Sequence, residues 1–331
     1  MSKVMIIAEA GVNHNGDINI AKQLIDAASI TGADAIKFQT YKTNLLVVPD
    51  ARKADYQIEN TGLGTSQYEM LKSLELSWQN FEELFLYCAY RQITFLSSPF
   101  DEESLLFLDS LGVEPIKIPS GEITNYGYLN KIADLKKKVL LSTGMSTEAE
   151  VGEALDILDR SGKDIILLHC SSAYPTKMQD VNLNALDTLR RRFHKQVGYS
   201  DHTPGIEAAV AAAALGANVI EKHMTLDKTM PGPDHKASLE PDEFKHMVDS
   251  IRNVELALGD GVKRPTQEEL KNREYVRKYL VASREIKQGE AFTINNLCAK
   301  RCGHGISPMK LPVLLGETAK KNYHQDERID Q

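Results

Sequence analysis

Eight short apolar runs, each closing on a polar or ionisable side chain, recur between residues 4 and 223. Residues 4–8 end at Glu9, 35–36 at Lys37, 93–96 at Ser97 and 115–116 at Lys117. Residues 139–141 end at Ser142, 165–168 at His169, 197–199 at Ser200, and 219–220 at Glu221 and His223. Runs this short and this apolar read as strands buried on both faces, as in a parallel sheet covered by helices. Eight of them predict an α/β fold, a closed (β/α)8 TIM barrel, whose active site collects at the C-terminal strand ends. A doubly wound open sheet is the competing arrangement. Eight units with a polar group at every exit favour closure, and no GxGxxG follows the first run.

Helix-like stretches separate the runs. Apolar residues recur at 3.6-residue spacing over 20–31, 78–91, 102–111 and 147–160, the last opened by the capping signal Ser146-Thr147-Glu148. Residues 205–215 are nearly all small and apolar, as in a helix pressed close to a sheet, and 242–258 form the last barrel helix behind Pro241. Residues 41–74 are the exception: a polar stretch with Gly62 and Gly64 that reads as an outsized loop on the catalytic rim, a lid or substrate wall. The catalytic domain is expected over 1–260, a charged, Gly/Pro-bearing linker over 261–276, and a small turn-rich β domain over 277–331.

With 39 Lys and Arg against 46 Asp and Glu, the formal charge of −7 argues against nucleic acid or a membrane surface as partner. No apolar run approaches the length of a membrane span. Cys88, Cys170, Cys298 and Cys302 form no CxxC pair and, with no secretory leader in view, read as the reduced thiols of a cytoplasmic protein.

His202 and His223 close the last two strands with Asp201 and Glu221 beside them. Two imidazoles at neighbouring strand ends can converge on one divalent cation, with carboxylate, substrate or water completing the shell; two ordinary surface histidines are the plain alternative. Lys37 and Lys117 end the second and fourth strands, where either could form a Schiff base or both could hold an anion. Ser120, Ser142 and Ser200 supply hydroxyl donors for the same anion. Glu9, Glu122 and Glu221 are acid–base candidates, and Asp234 follows in a Pro-rich loop. The glycine- and asparagine-rich turn 11–16 either holds a ligand or links strand to helix. Metal, anion holders and carboxylates together suit carbon–carbon chemistry on a phosphorylated or carboxylated substrate.

These motifs resemble those of the sialic acid synthases: residues 7–16 (IAEAGVNHNG), 117–122 (KIPSGE), 141–145 (LSTGM), 198–203 (GYSDHT) and 231–234 (PGPD). Residues 300–306 (KRCGHGI) resemble the antifreeze-like (SAF, β-clip) domain of the same enzymes. The resemblance implies condensation of phosphoenolpyruvate with an open-chain N-acetylated hexose. Water adds at C2 and phosphate leaves by C–O cleavage, giving a nine-carbon 2-keto acid. It implies a divalent metal on His202 and His223, Mn²⁺ first with Mg²⁺ or Co²⁺ as alternatives, acting as a Lewis acid toward the aldehyde. By the same resemblance Lys37, Lys117, Ser120, Ser142 and Ser200 hold phosphoenolpyruvate, and Glu9, Glu221 and Lys117 carry the chemistry. Gln39, Glu122, Tyr174, Asp234 and Arg301 contact the sugar, Arg301 in trans across a domain-swapped homodimer.

Two positions depart from the family pattern: Cys302 stands where proline is frequent after the arginine, and Ser172 where Asn or Thr is common. The acceptors open to this chain are N-acetylmannosamine, its 6-phosphate and 2,4-diacetamido-6-deoxy sugars, with a lean to the free bacterial sugars. A lysine-based pyruvate aldolase and a catalytically silent sugar-binding protein are the alternatives on the same barrel.

Overall fold

The computed structural model describes residues 3–330. Its main sheet contains β1 (Met5–Gly11), β2 (Ala35–Thr40), β3 (Thr94–Pro99), β4 (Ile116–Ile118), β5 (Val139–Ser142), β6 (Ile165–Cys170), β7 (Gln196–Asp201) and β8 (Val219–His223). All its ladders are parallel, in the order β3-β2-β1-β8-β7-β6-β5-β4. The two end strands, β3 and β4, lie side by side without a hydrogen-bonded ladder among the described residues. The sheet is thus a nearly closed eight-stranded barrel, consistent with a TIM barrel rather than an open doubly wound sheet.

Helices cover the outside, and their ends are written locally. Asp17 caps the helix Ile18–Thr31 by accepting from the Asn19 N–H, and Gly32 ends it at φ 84°, a left-handed conformation that glycine adopts without strain. Thr147 and Glu150 form a reciprocal capping box that opens Glu148–Leu158. In Glu207–Ala214 the buried face is Ala208, Ala209, Ala212 and Ala213, which lets the backbone approach the strands closely.

Inside the barrel the period-2 alternation of the strands sets two layers. Ile7, Ala35, Leu96, Leu140, Leu168 and Val219 pack together as an apolar plug. Each fully buried aliphatic side chain of this kind contributes about 1.5–3 kcal/mol. Gly198 leaves room for the plug, since a Cβ there would meet Leu168 Cδ2 at 2.6 Å. Two positions further along the same strands, facing the same way, come Glu9, Lys37, Ser98, Ser142, Cys170 and Glu221. The barrel is closed by hydrocarbon below and carries its charges in one layer above it.

The segment expected as a long loop is instead built from three short helices, Thr43–Leu46, Asp55–Thr61 and Gln67–Leu74. Lys53, buried within it, donates to Thr61 Oγ1 (3.1 Å), the Gly62 carbonyl (2.6 Å) and Thr65 Oγ1 (3.0 Å). A single ammonium with three oxygen acceptors ties this segment together beside a small apolar cluster of Val12, Tyr41, Met70 and Leu74. The sequence signal that reading it as a loop passes over is the Ser66–Glu69 capping box.

The chain divides into two compact units after Gly259. The second begins with a helix, Gln267–Val276, where a linker was expected; it buries none of its residues, and the Thr266–Glu269 capping box supports it locally. Beyond it β9 (Lys278–Ala282) pairs antiparallel with β10 (Leu297–Arg301). Isolated bridges and turns close a small core of Leu280, Ile286, Phe292, Leu297, Leu314 and Tyr323. Among the described residues no helix is long and apolar enough to cross a membrane.

Candidate active site

A cavity of about 390 Å³ sits at the C-terminal ends of the strands. Eleven of the sequence-derived candidates line it: Glu9, Lys37, Gln39, Lys117, Ser120, Ser142, Tyr174, Ser200, His202, Glu221 and His223. Asp234 lines an adjoining cavity that shares Gln39, Tyr56, Gln67, Phe100, Tyr174 and His223 with the first. Glu122 lines neither; it lies in the turn after β4, where its Oε2 accepts from Asn125 Nδ2 at 2.7 Å. Arg301, exposed at the end of β10, belongs to the second unit.

Two lysines and two glutamates form the charged floor. Lys37 Nζ is 2.7 Å from Glu9 Oε2, 3.8 Å from Glu221 Oε1 and 3.1 Å from Ser98 Oγ. Lys117 Nζ is 3.5 Å from Glu221 Oε1, which also accepts from Ser200 Oγ at 3.0 Å. All four ionisable side chains are almost fully buried. Their environments split the two acids. Burial, reinforced by Glu221, pushes Glu9 up to about 7 against the pull of Lys37. For Glu221 burial is outweighed by Lys117, Lys37 and the Ser200 hydroxyl, which bring it down to about 2. The lysines split as well. Burial lowers Lys117, with Lys37 adding to it; Lys37 faces the same burial, but its two carboxylates hold it above the ordinary lysine value. At neutral pH one acid is a fixed carboxylate and the other is poised to exchange a proton.

Beside the lysines the cavity is lined by Ser120, Ser142, Ser172 and Ser200. A Cβ added to Gly144 would meet Ser172 Oγ at 2.5 Å, Ser120 Oγ at 2.8 Å and Cys170 Sγ at 3.0 Å. The absent side chain lets these groups close in over the Gly144 backbone, whose N–H donates to Ser120 Oγ at 3.0 Å. Hydroxyls and ammonium groups around one cavity suit a phosphate or carboxylate group.

The histidines face each other across the same space, ring centroids 5.6 Å apart, with the Tyr174 ring 4.3 Å from His202. His202 Nδ1 donates to the Ser171 carbonyl at 2.7 Å, which fixes the tautomer and leaves Nε2 with a free lone pair. His223 Nδ1 is buried with no hydrogen-bond partner among the described residues, and so is Glu221 Oε2. Burial holds both imidazoles below the ordinary histidine value, His223 furthest because His202 and Lys37 stand close. Two neutral imidazoles with free ring nitrogens fit a divalent cation. Among the described residues no third His, Cys, Asp or Glu completes a cage, so further positions would fall to substrate or water, as in open catalytic sites.

Three expectations from the strand ends are corrected by the pleat. At the third exit Ser98, paired in register with Gln39, faces the cavity, while Ser97 Oγ bonds Thr40 Oγ1 at 2.6 Å. At the sixth, Cys170 lines the cavity and His169 turns outward to the Val181 carbonyl. Asp201, placed beside the histidines as a carboxylate for the metal shell, instead forms a fully buried pair with Lys222 at 2.7 Å. Ser172, singled out only as a departure from the family pattern, also lines the cavity, and so do Tyr56, Gln67, Phe100 and Met145, which were not among the candidate site residues.

The turn 11–16 is tied into the scaffold, and its Val12 lines the adjoining cavity. Asn13 Nδ2 donates to the Met224 carbonyl and to Ser238 Oγ, each at 2.9 Å, and Asn15 Oδ1 accepts from His235 Nε2 at 3.1 Å. These bonds tie the β1 exit to the loop that carries Asp234.

Comparisons with known proteins converge. A model of the NeuB family matches residues 24–263. The N,N'-diacetyllegionaminic acid synthase of Campylobacter jejuni is 51% identical, over 99% of both chains. The synthase of the same name from Legionella pneumophila is 47% identical over 96% of this chain and 90% of its own. Among solved structures, an N-acetylneuraminic acid synthetase from Leptospira borgpetersenii in complex with citrate superposes with TM-score 0.72. It is 37% identical and covers 83% of this chain and 93% of that one.

Proposed function

Because this chain belongs to the NeuB family, the sialic acid synthases, we propose that its strand-end cavity condenses phosphoenolpyruvate with an open-chain N-acetylated hexose to give a nine-carbon 2-keto acid and phosphate. The chain is a nonulosonic acid synthase, a transferase-type enzyme. That membership sets aside the aldolase and the silent binding protein. The observation that carries the site assignment is the meeting of two buried lysines, the serines Ser120, Ser142 and Ser200, and two histidines, His223 with an unpartnered buried Nδ1, around one cavity.

Phosphoenolpyruvate brings a phosphate and a carboxylate. Lys37 and Lys117 pair with them in a low-dielectric site, and Ser120, Ser142 and Ser200 donate hydroxyl hydrogens. His202 Nε2 and His223 would hold the divalent cation, Mn²⁺ or Mg²⁺, which when bound supplies Lewis acidity toward the aldehyde oxygen. As the enol carbon bonds to the aldehyde carbon, neutral Glu9 donates its proton to the aldehyde oxygen, which becomes a hydroxyl. The carboxylate of Glu221 stabilises the positive charge left at C2. Water adds there and passes one proton to Glu9; as the C2 carbonyl forms, phosphate departs with its bridging oxygen and takes the C2 hydroxyl proton. The buried walls keep bulk water from hydrolysing the substrate before both partners are in place.

Tyr174, Gln39 and Asp234 are assigned to the sugar; Glu122, engaged with Asn125 outside both cavities, has the weakest support of the sugar residues. We read the second unit as the antifreeze-like domain, with its exposed Arg301 acting in trans in a homodimer, on the strength of the 300–306 motif. Cys302, where proline would restrict φ, leaves that loop less constrained.

Phosphate release from phosphoenolpyruvate with a panel of amino sugars tests the assignment; no release with any sugar would remove it. Dialysis against EDTA is expected to abolish release and Mn²⁺ to restore it, with Mn²⁺ binding lost in His202→Ala. Turnover that survives complete metal removal would exclude the role given to the two histidines.

Asp234 gives a pH prediction. Burial raises its carboxyl to about 6, and the carboxylate accepts hydrogen bonds from the sugar on both oxygens, and more strongly than the protonated acid does. With phosphoenolpyruvate saturating, kcat/KM for the sugar should therefore rise as pH increases through about 6. Asp234→Asn should lower kcat/KM by about 10–100-fold and flatten that limb; an unchanged limb would move its origin to another group.

A further inference from the structure

The loop after β6, residues 171–176, carries Ser172 and Tyr174 into the cavity yet belongs to no helix or strand. Without ladder or helical bonds, its course must be set by side chains and by the strands beside it. Thr176, only 1% exposed, uses both. Its hydroxyl donates to the Ala173 carbonyl at 2.8 Å, with the Ser171 carbonyl at 3.3 Å as the weaker partner of the same hydrogen. Its N–H donates to the His202 carbonyl at 2.8 Å, across to the exit of β7.

These bonds close a ring around His202. The imidazole donates from Nδ1 to the Ser171 carbonyl at 2.7 Å, and Thr176 spans from that carbonyl back to the His202 main chain. A carbonyl has two lone pairs, so Ser171 accepts from the imidazole and the hydroxyl together. His202 is thus gripped by its ring and by its backbone through one residue of the neighbouring exit. The same loop sets the Tyr174 ring 4.3 Å from His202 and edge-on to His223 at 5.9 Å. A displacement of residues 171–174 therefore reaches both imidazoles. The hydrogen bond at one ring nitrogen fixes the aim of the other, so a Ser171 carbonyl that moves turns Nε2 off the space shared with His223. Thr176 lines neither cavity and acts only through these neighbours.

We propose that Thr176 is a positioning residue of the metal centre: its hydroxyl and N–H fold the 171–176 loop so that the Ser171 carbonyl holds His202 with Nε2 toward the divalent cation. The assignment rests on the reading of His202 and His223 as the ligands of that cation. It separates metal affinity from stability. Ala173 is exposed, so its carbonyl can take a water in place of the hydroxyl and the fold loses little. The aim of the imidazole has no such substitute.

Mn²⁺ binding to the full-length chain, freed of metal by EDTA and dialysis, decides it. Electron paramagnetic resonance of free Mn²⁺, without substrates, compares the wild type with Thr176→Val, Thr176→Ser and His202→Ala. Thr176→Val keeps the shape and removes the donor. Its Kd for Mn²⁺ is expected to rise about 10–100-fold, while its melting temperature changes little. Thr176→Ser keeps the hydroxyl and is expected to stay within about threefold of the wild type. The Mn²⁺ concentration for half-maximal phosphate release should rise in step with Kd. Wild-type affinity in Thr176→Val overturns the proposal. So does a serine variant as weak as the valine one, because the hydroxyl would then not be the cause. If Thr176→Val does not fold, Thr176→Ala removes the same hydroxyl and is read in its place. The ligand reading fails separately: a wild type that binds no Mn²⁺, or His202→Ala that binds it as tightly, overturns the metal site and this assignment with it.

Discussion

Lys117→Met should lower kcat/KM for phosphoenolpyruvate by about a thousandfold while the protein stays folded. The ammonium is buried and faces the space where a multiply charged substrate must sit. Removing one partner of such a desolvated charge pair costs about 3–5 kcal/mol, and each 1.36 kcal/mol is tenfold in rate. The loss has a second source in the empty enzyme. Lys117 is the strongest charge opposing burial at Glu221, so without it burial gains ground and Glu221 takes up a proton at higher pH than before. The acidic limb of the kcat profile should accordingly move upward in pH, because the group whose carboxylate is needed is now held less far below its ordinary value. A loss confined to KM with an unshifted profile would mean that Lys117 only binds. Methionine preserves the length and apolar stem of lysine, so the melting temperature should change little.

Lys222→Met is expected to do the opposite: leave the chemistry and undermine the fold. Lys222 and Asp201 are both inaccessible to solvent, and their pair at 2.7 Å lies on the outer face of β7 and β8, behind His202 and His223. Asp201 also accepts from the Tyr199 hydroxyl at 3.2 Å and the Thr203 N–H at 2.9 Å. Removing the lysine leaves a buried carboxylate without its counter-charge, at a cost of about 3–5 kcal/mol. For a unit of this size that lowers the melting temperature on the order of 10 °C. Replacing Asp201 by leucine in the same chain should recover part of the loss, since two apolar groups leave no uncompensated charge. At temperatures where Lys222→Met remains folded, KM for both substrates should stay near the wild-type value. A collapse of kcat there would instead assign the pair a part in the reaction.

These two lysines show where reading by strand exit succeeds and where it stops. Lys117 is visible as the polar end of an apolar run, and its direction into the barrel follows from parity with the residues before it. Lys222 is adjacent to two site residues in sequence and belongs to the other face, because successive side chains of a strand alternate. The same one-residue step separates Ser97 from Ser98 and His169 from Cys170. Parity within a strand is legible once one inward residue is known. Ile7 before Glu9 and Leu96 before Ser98 carry that information, since the inward apolar residue lies two positions earlier each time.

The sequence by itself determined the barrel, six of its eight exit residues and the family, because strand burial and period are local properties and the strand-end motifs are contiguous. It also placed the charges, the serines and the histidine pair at one end of the sheet. The tertiary structure alone decided how those charges act on one another. Glu9 and Glu221 are the same residue type at neighbouring strand ends, yet one is held near neutrality and the other deep in its ionised range. The difference comes from which ammonium and which hydroxyl lie within a few ångströms after closure, and no single-strand pattern encodes that. The adjoining cavity is the same case. Its apolar wall belongs to a segment whose sequence reads as a loop, and only docking beside Tyr174 and Pro233 brings that segment into the cavity lining.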